Sequence, residues 1–293
     1  MIIPAPGSRK QRTQGAPPGA DMERNMELPD LGQVDDIDVT TPSPARMYDY
    51  YLGGKDNFQA DREAAEKALS AVPCGRRVAW ANRNFLVRAV QFLAHSGIEQ
   101  FIDLGTGIPT SPNVHEVARS VIPGARVAYV DNDPIVVVHD RALLAGSEGT
   151  TAVRGDIRYP LNVISNHAIR EVIDFDRPVG ILFVAVLHFI TFQENPYASV
   201  AAFRNRIAPG SYAVISHITS DGSDPSTINT ISDAYKNAAA PAVFRTTEEI
   251  GKLFDGFELV KPGLVEVAAW RSSGRKPAAQ SALRFLGGVG RKP

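Results

Sequence analysis

The strongest constraint on how this chain folds is a rhythm in which short apolar runs alternate with amphipathic stretches, with cap or turn residues at each switch. "QFIDLG" (100–105) reads as a short buried strand, "ARVAYVD" (125–131) as a second and "TAVRGD" (151–156) as a third. Between them, Ser111 followed by Pro112 is a cap and first-turn pair that predicts a helix over "PNVHEVARSVI", ended by Pro123-Gly124. Asp133-Pro134 repeats the device and starts a helix running to about Leu144. Strand, helix, strand, helix, strand is the pattern of a parallel sheet, because a parallel neighbour needs a crossover connection.

The second half continues the rhythm. "VGILFVAVLHFI" (179–190) is a continuous apolar run, as expected of a central strand covered on both faces. "SYAVISHI" (211–218) is another, after a helix around Tyr197 to Ile207. Thr246 and Glu249 form a capping box ahead of the helix "EEIGKLF". "FELV" and "LVEVAAW", joined by the turn residues "KPG", predict an antiparallel hairpin at the sheet edge. Upstream, Val78, Ala81, Phe85, Ala89, Phe92 and Leu93 follow helical spacing, and Gly97 supplies a stop.

At 293 residues the chain suits one sizeable α/β domain with appendages. Residues 1–40, rich in Gly, Pro and Gln without apolar periodicity, read as a disordered tail; residues 41–98 read as a helical cap. Residues 99–271 read as a doubly wound, mostly parallel α/β core, and 272–293, broken by glycines and carrying only positive charge, as a flexible basic tail. Lys plus Arg (31) nearly cancels Asp plus Glu (32), which disfavours nucleic acid and anionic membranes as partners. The lone cysteine, Cys74, permits no internal disulfide, no Cys/His cluster has metal-ligand spacing, and no apolar run is long enough to span a bilayer. A cytoplasmic protein with no structural metal is the expectation.

"DLGTGIPT" follows the first strand and leads into a helix, so its bare backbone can approach a ligand at the carboxyl end of the sheet. A dinucleotide fingerprint would need glycine at Thr110, and Gly53-Gly54-Lys55 lacks the strand-to-helix setting of a phosphate loop. The loop therefore suits a nucleoside without a pyrophosphate. Asp103, Asp131 and Asp156 fall at three successive strand ends. Asp131 suits the paired hydroxyls of a ribose, and Asp156 suits the exocyclic amine of an adenine. Singly, any of these carboxylates reads equally well as a helix cap or a solvated strand end.

"FIDLGTGIPT", "AYVDNDP", "RGDIRYP" and "LFVAVLHFI" resemble the successive motifs of the class I S-adenosylmethionine-dependent methyltransferases. With "SPARMYDYYLGGKDNF" and "NVHEVAR" they resemble, over roughly Thr41 to Trp270, the actinobacterial group called S-adenosyl methyltransferase. The resemblance implies a Rossmann-like seven-stranded sheet with its last strand antiparallel, and S-adenosylmethionine as cofactor. It places the cofactor's amino acid portion near Asp103, Gly105, Thr106 and Gly107, its ribose and adenine near Asp131 and Asn132, and its adenine near Asp156 and Ile157.

The stretch "RMYDYYLGGKDNF" (46–58) reads as a lid over cofactor and acceptor. Tyr48, Tyr50 and above all Tyr51 are candidates to face the sulfonium cation, and Arg46 or Lys55 to meet its carboxylate. The competing reading is that the tyrosines only pack this segment onto the sheet. Methyl transfer is an in-line displacement that needs positioning more than covalent chemistry, and an alcohol or phenol acceptor also needs a base. His188 is the candidate base, ahead of His115, Asp49 and His217; a structural histidine is the alternative. A methyltransferase acting on a small molecule is the leading expectation, with a non-catalytic sensor of the same ligand as the alternative and a nicotinamide oxidoreductase disfavoured by Thr110.

Overall fold

Five apolar segments pair side by side in parallel: β1 (Gln100–Leu104), β2 (Arg126–Asp131), β3 (Thr150–Arg154), β4 (Gly180–Val184) and β5 (Tyr212–Thr219), in the order β3-β2-β1-β4-β5. The computed structural model describes residue 1 and residues 38–144, 146–272 and 282–293. Strand pleating sends alternate residues to opposite faces. Phe101, Val127, Tyr129, Leu182 and Val214 face one apolar layer, while Ile102, Leu104, Ala128, Val130, Ile181, Phe183 and Ile215 face the other. Both layers are buried, and each large side chain so buried stabilises the fold by about 1.5–3 kcal/mol.

The first layer is closed by α1 (Pro44–Leu52), α2 (Gln59–Ala71), α3 (Gly75–His95), α4 (Val114–Arg119) and α9 (Pro225–Tyr235). The second is closed by α6 (Pro160–Ser165), α7 (His167–Val172), α8 (Pro196–Arg206) and α10 (Thr247–Lys252). The amino-terminal helices therefore share a core with the sheet: Met47, Ala65 and Phe85 belong to the same buried cluster as Phe101 and Leu182.

Local signals act mostly as the residue pattern indicates. Asp133 Oδ1 accepts from the Ile135 N–H at 2.9 Å and so caps α5 (Pro134–Leu144). Thr246 and Glu249 form the reciprocal box at the start of α10, at 2.8 and 3.2 Å. The cap expected at Ser111 is instead Asn113, whose N–H donates to Glu116 at 2.5 Å, so α4 begins at Val114 and is shorter than the pattern suggests. Its rival Ser111 donates its hydroxyl to the same Glu116 carboxylate at 3.2 Å. The apolar run from Val179 also leaves the sheet early. Ala185 adopts a left-handed φ of 59°, and Leu187–Phe189 form a single 3₁₀ turn.

The carboxyl terminus departs most from the sequence reading. Residues 284–291 are not a tail but strand β8 (Arg284–Arg291), antiparallel to β5 along eight residue pairs. "FELV" and "LVEVAAW" do not pair with each other. Their short strands β6 (Glu258–Leu259) and β7 (Val265–Glu266) each pair with β8, giving eight strands where seven were expected. The glycines that read as chain breakers allow close approach in a strand interior. A Cβ on Gly287 would lie 2.9 Å from the Phe85 ring, and one on Gly290 would lie 2.7 Å from Phe257 Cβ. The expected amino-terminal tail falls almost wholly on residues 2–37, outside the described residues. Residues 273–281 of the expected basic tail also lie outside them.

Candidate active site

Chain order reverses between β1 and β4, so the loops leaving their carboxyl ends part and open a crevice, the usual ligand position in such sheets. The loops after β1 to β4 and the start of α1 line a cavity there of about 300 Å³, at the lower end of the roughly 300–1,000 Å³ of small-molecule sites. Its floor depends on two glycines, Gly105 and Gly107, with φ of 69° and 66°. A Cβ on Gly105 would sit 2.3 Å from Val186 Cγ2, so only glycine lets the β1 and β4 loops meet.

Asp131 splints this floor. Its Oδ2 accepts from the Gly107 N–H and its Oδ1 from the Asp133 N–H, both at 2.9 Å. Burial pushes its carboxyl up to about 6, against the pull of those two amides. Asp103 lies below the loop, buried and absent from the cavity lining. It accepts from the Thr106 hydroxyl at 3.3 Å, and burial pushes it too up to about 6, opposed by the Arg83 guanidinium. A third buried acid, Asp140 on α5, rises to about 8 from burial first and then from the charges of Asp131 and Asp103. Thr106 lies outside the cavity lining, whereas Gly105, Gly107, Asp131, exposed Asn132, Asp156 and Ile157 all belong to it. The structure thus brings together six of the nine expected cofactor residues, with Asp103 and Thr106 one layer beneath.

Asp156 is more encumbered than its position in sequence suggests. Both its oxygens accept from Arg158, at 2.6 to 3.0 Å, and Arg158 also donates to Glu194 at 2.8 Å. A ligand amine reaching Asp156 must share it with Arg158. Ile157 stands next to it with its carbonyl already accepting from the Ser199 hydroxyl at 2.5 Å.

Tyr51, the ninth expected cofactor residue, does not reach this cavity. It lines a second one, of about 80 Å³, with Tyr48, His188, Phe189, Tyr235 and Phe285 among its neighbours. Tyr48 donates to the Ala79 carbonyl at 3.0 Å and accepts from Asn82 at 2.9 Å, while Tyr50 lies outside, under the Arg76 guanidinium. The segment that roofs the first cavity is 38–46, through Thr41, Ser43 and Ala45 rather than the tyrosines. Arg46 is held there by Asp61 at 3.0 Å and Asp133 at 3.8 Å, and Ser43 donates to Asp133 at 2.6 Å. Of the two cations expected to meet a ligand carboxylate, Arg46 thus lines the cavity already paired within the protein, and Lys55 belongs to neither cavity.

His188 sits in the second cavity, buried, with Nδ1 lacking any hydrogen-bond partner. Burial drives its pKa well below the usual value, and His217 and Arg245 add to the effect, so the ring is a free imidazole at neutral pH. The other candidate bases have structural partners. His217 bonds the Ile218 carbonyl at 2.6 Å and Arg245 at 2.9 Å. His115 pairs with the Tyr129 hydroxyl at 2.8 Å, and Asp49 accepts from Asp56 and Asn57 at 3.0 and 2.7 Å. Neither cavity includes them.

Phe189 belongs to the lining of both cavities and so stands between them. It went unnoticed in the sequence as one more apolar residue of a strand. Arg245 was also missed: fully buried, it donates to the Leu187 carbonyl at 3.2 Å and the Ile190 carbonyl at 2.7 Å, fixing the turn that carries His188 and Phe189. A lone arginine between loops carries no sequence signal for such a role.

The profile of a family described as S-adenosyl methyltransferase matches residues 31–293. Among solved structures, a candidate methyltransferase from Thermobifida fusca is 41% identical, covering 92% of this chain and 99% of its own, with a TM-score of 0.82. A DUF574 family protein from Streptomyces avermitilis is 36% identical, covering 87% and 99%, with a TM-score of 0.83. No curated protein matches.

Proposed function

The chain belongs to the S-adenosyl methyltransferase family and is an S-adenosylmethionine-dependent methyltransferase; from that premise we propose that the first cavity holds the methyl donor and that the second receives a small-molecule acceptor. When bound, S-adenosylmethionine supplies a methyl group on a sulfonium, an electrophile whose leaving group departs neutral. The residues present suit it. Gly105 and Gly107 expose backbone without Cβ, Asp131 and Asn132 offer acceptors for ribose hydroxyls, and Ile157 gives an apolar wall for adenine. Asp156 adds an acceptor once Arg158 yields part of its hold. Asp103 acts through Thr106, bracing the loop from below.

The observation that carries this reading is the Asp131 carboxylate bridging Gly107 and Asp133 beneath a cavity of about 300 Å³ at the switch point of the sheet. Segment 38–46 closes over this cavity and excludes water from the donor. His188, a neutral imidazole in the adjoining cavity, accepts the acceptor's proton. A small acceptor agrees with a narrow second cavity of about 80 Å³ and a formal net charge of -1, which gives nucleic acid no broad attraction. Calorimetric titration with S-adenosylhomocysteine tests the site. The wild-type protein should bind it and Asp131→Ala should bind at least about ten-fold more weakly, because the glycine loop loses its splint. Equal affinity in a folded Asp131→Ala protein would place the donor elsewhere.

A further inference from the structure

We propose that the second cavity admits an uncharged, single-ring phenol whose hydroxyl is donated to the imidazole of His188, making this chain an aryl O-methyltransferase. The inference rests on the first cavity being the methyl-donor site. Phe189 belongs to both linings, so the two cavities adjoin at its ring.

Size, charge and polarity each narrow the occupant. The cavity holds about 80 Å³, several times the roughly 10–15 Å³ one water needs and about half the roughly 150 Å³ of a closed cavity that takes a benzene, and it is open on one side, so a single ring fits with part of it at the mouth. Among the described residues its lining contains no Asp, Glu, Lys or Arg, so an ammonium, carboxylate or phosphate would leave water there without a partner for its charge. Five aromatic side chains besides His188 would face a flat ring: Tyr48, Tyr51, Phe189, Tyr235 and Phe285. The Tyr48 hydroxyl already both donates and accepts. Tyr51 and Tyr235 hydroxyls pair at 3.2 Å, which uses one of their two protons and leaves one O–H to donate. His188 contributes the buried nitrogen without a partner. Nδ1 itself is out of reach of the cavity's free space, so a ligand meets His188 through the other ring nitrogen, Nε2, which accepts when Nδ1 carries the proton. One acceptor and one spare donor inside an aromatic box match a phenol, which offers both from a single oxygen.

The chemistry balances. The C–O bond to the phenol oxygen forms as the methyl C–S bond breaks, and the phenolic proton passes to the imidazole. The products are a neutral aryl methyl ether, a neutral thioether and an imidazolium, which then releases its proton to solvent. The positive charge moves from sulfur to His188 within the same site. A buried imidazolium is costly by itself, but here it replaces a buried sulfonium, so the net charge of the site is unchanged at the moment of transfer.

The test is calorimetry on the full-length protein saturated with S-adenosylhomocysteine, using four probes of one shape: p-cresol, p-xylene, p-toluate and 4-methylbenzylammonium. p-Cresol should bind about ten-fold more tightly than p-xylene, the worth of one buried hydrogen bond, and the two charged probes should not bind at millimolar concentration. In His188→Phe, where only the tyrosine O–H remains to bond the phenol oxygen, the preference for p-cresol over p-xylene should fall at least about three-fold while affinity for S-adenosylhomocysteine stays within about two-fold. With labelled donor, wild type should convert p-cresol to 4-methylanisole. If His188→Phe fails to fold, the order of the four probes on wild type decides alone. Tight binding of a charged probe, or no preference for p-cresol, with the thioether bound, overturns the phenol assignment only. Failure of the thioether itself to bind overturns the donor-site reading.

Discussion

Replacing Gly105 with alanine probes the meeting of two loops on which the first cavity depends. Two costs add. At a φ of 69° an alanine is held in the left-handed region, at about 1–2 kcal/mol. Its Cβ would also lie 2.3 Å from Val186 Cγ2 and 2.7 Å from Val186 Cβ, and forcing a side chain aside in this way costs about 1–3 kcal/mol. The expected loss is about 2–5 kcal/mol, and at about 2–4 °C per kcal/mol for a domain of this size the melting temperature falls by roughly 4–20 °C. Gly107→Ala is the internal control. Its φ of 66° carries the same backbone cost, yet nothing lies within 4 Å of its Cβ. It should lose only about 1–2 kcal/mol. Adding Val186→Gly to Gly105→Ala removes every clashing atom, Cβ included, so a double-mutant cycle read by urea denaturation should show a favourable coupling of about 1–3 kcal/mol. A coupling below about 0.5 kcal/mol, the level expected of independent sites, would show that the β1 and β4 loops do not meet as described.

Two further outcomes follow from the buried charges. Asp140, raised from 3.8 to about 8 by burial and by Asp131 and Asp103, holds a proton in the folded state that the unfolded chain releases near its ordinary value. Its contribution to stability is complete below about pH 4 and is lost as pH rises through about 8. Asp140→Asn cannot ionise, so its unfolding free energy should fall less than that of wild type between pH 6 and 8.5, as measured by urea titration at each pH; equal slopes would refute the assignment. Arg46→Ala leaves Asp61 and Asp133 buried without their cation, which should cost about 3–5 kcal/mol and weaken S-adenosylhomocysteine binding, because Ser43 and Arg46 fasten the roof of the cavity. Arg177→Ala, at the half-exposed pair with Glu99, should cost less than about 1 kcal/mol. A smaller loss for Arg46→Ala than for Arg177→Ala would overturn the fastening role.

Much of the site was legible before any coordinates. Gly105 and Gly107 follow a strand directly, and Asp131 and Asp156 end or follow the next two strands, so a local rule about strand tips places them together. The same rule overreached at Asp103, which lies at a strand end but below the loop. It was silent on the commitment of Asp156 to Arg158, because ion pairing depends on rotamers and not on spacing. The tyrosines show the limit most clearly. Tyr48 and Tyr51 lie on α1, but which cavity they face depends on how α1 docks, and that is set by Arg46 reaching Asp61 at the start of α2 and Asp133 ahead of α5.

Taken alone, the order of residues determined the parallel α/β core, the glycine turn that floors the first cavity and the acidic residues around it, because strand and helix periodicity, caps and turns act over a few neighbours. Tertiary structure decided the rest. Gly287, Gly288 and Gly290 look like breakers until Phe85, Phe254 and Phe257 fill the space their missing side chains leave, and so a presumed tail becomes a strand beside β5. His188 and Tyr51 become partners in one aromatic chamber only when α1, the turn after β4 and α9 converge. Contacts between segments more than a hundred residues apart are chosen by packing and charge in three dimensions, and no local pattern encodes them.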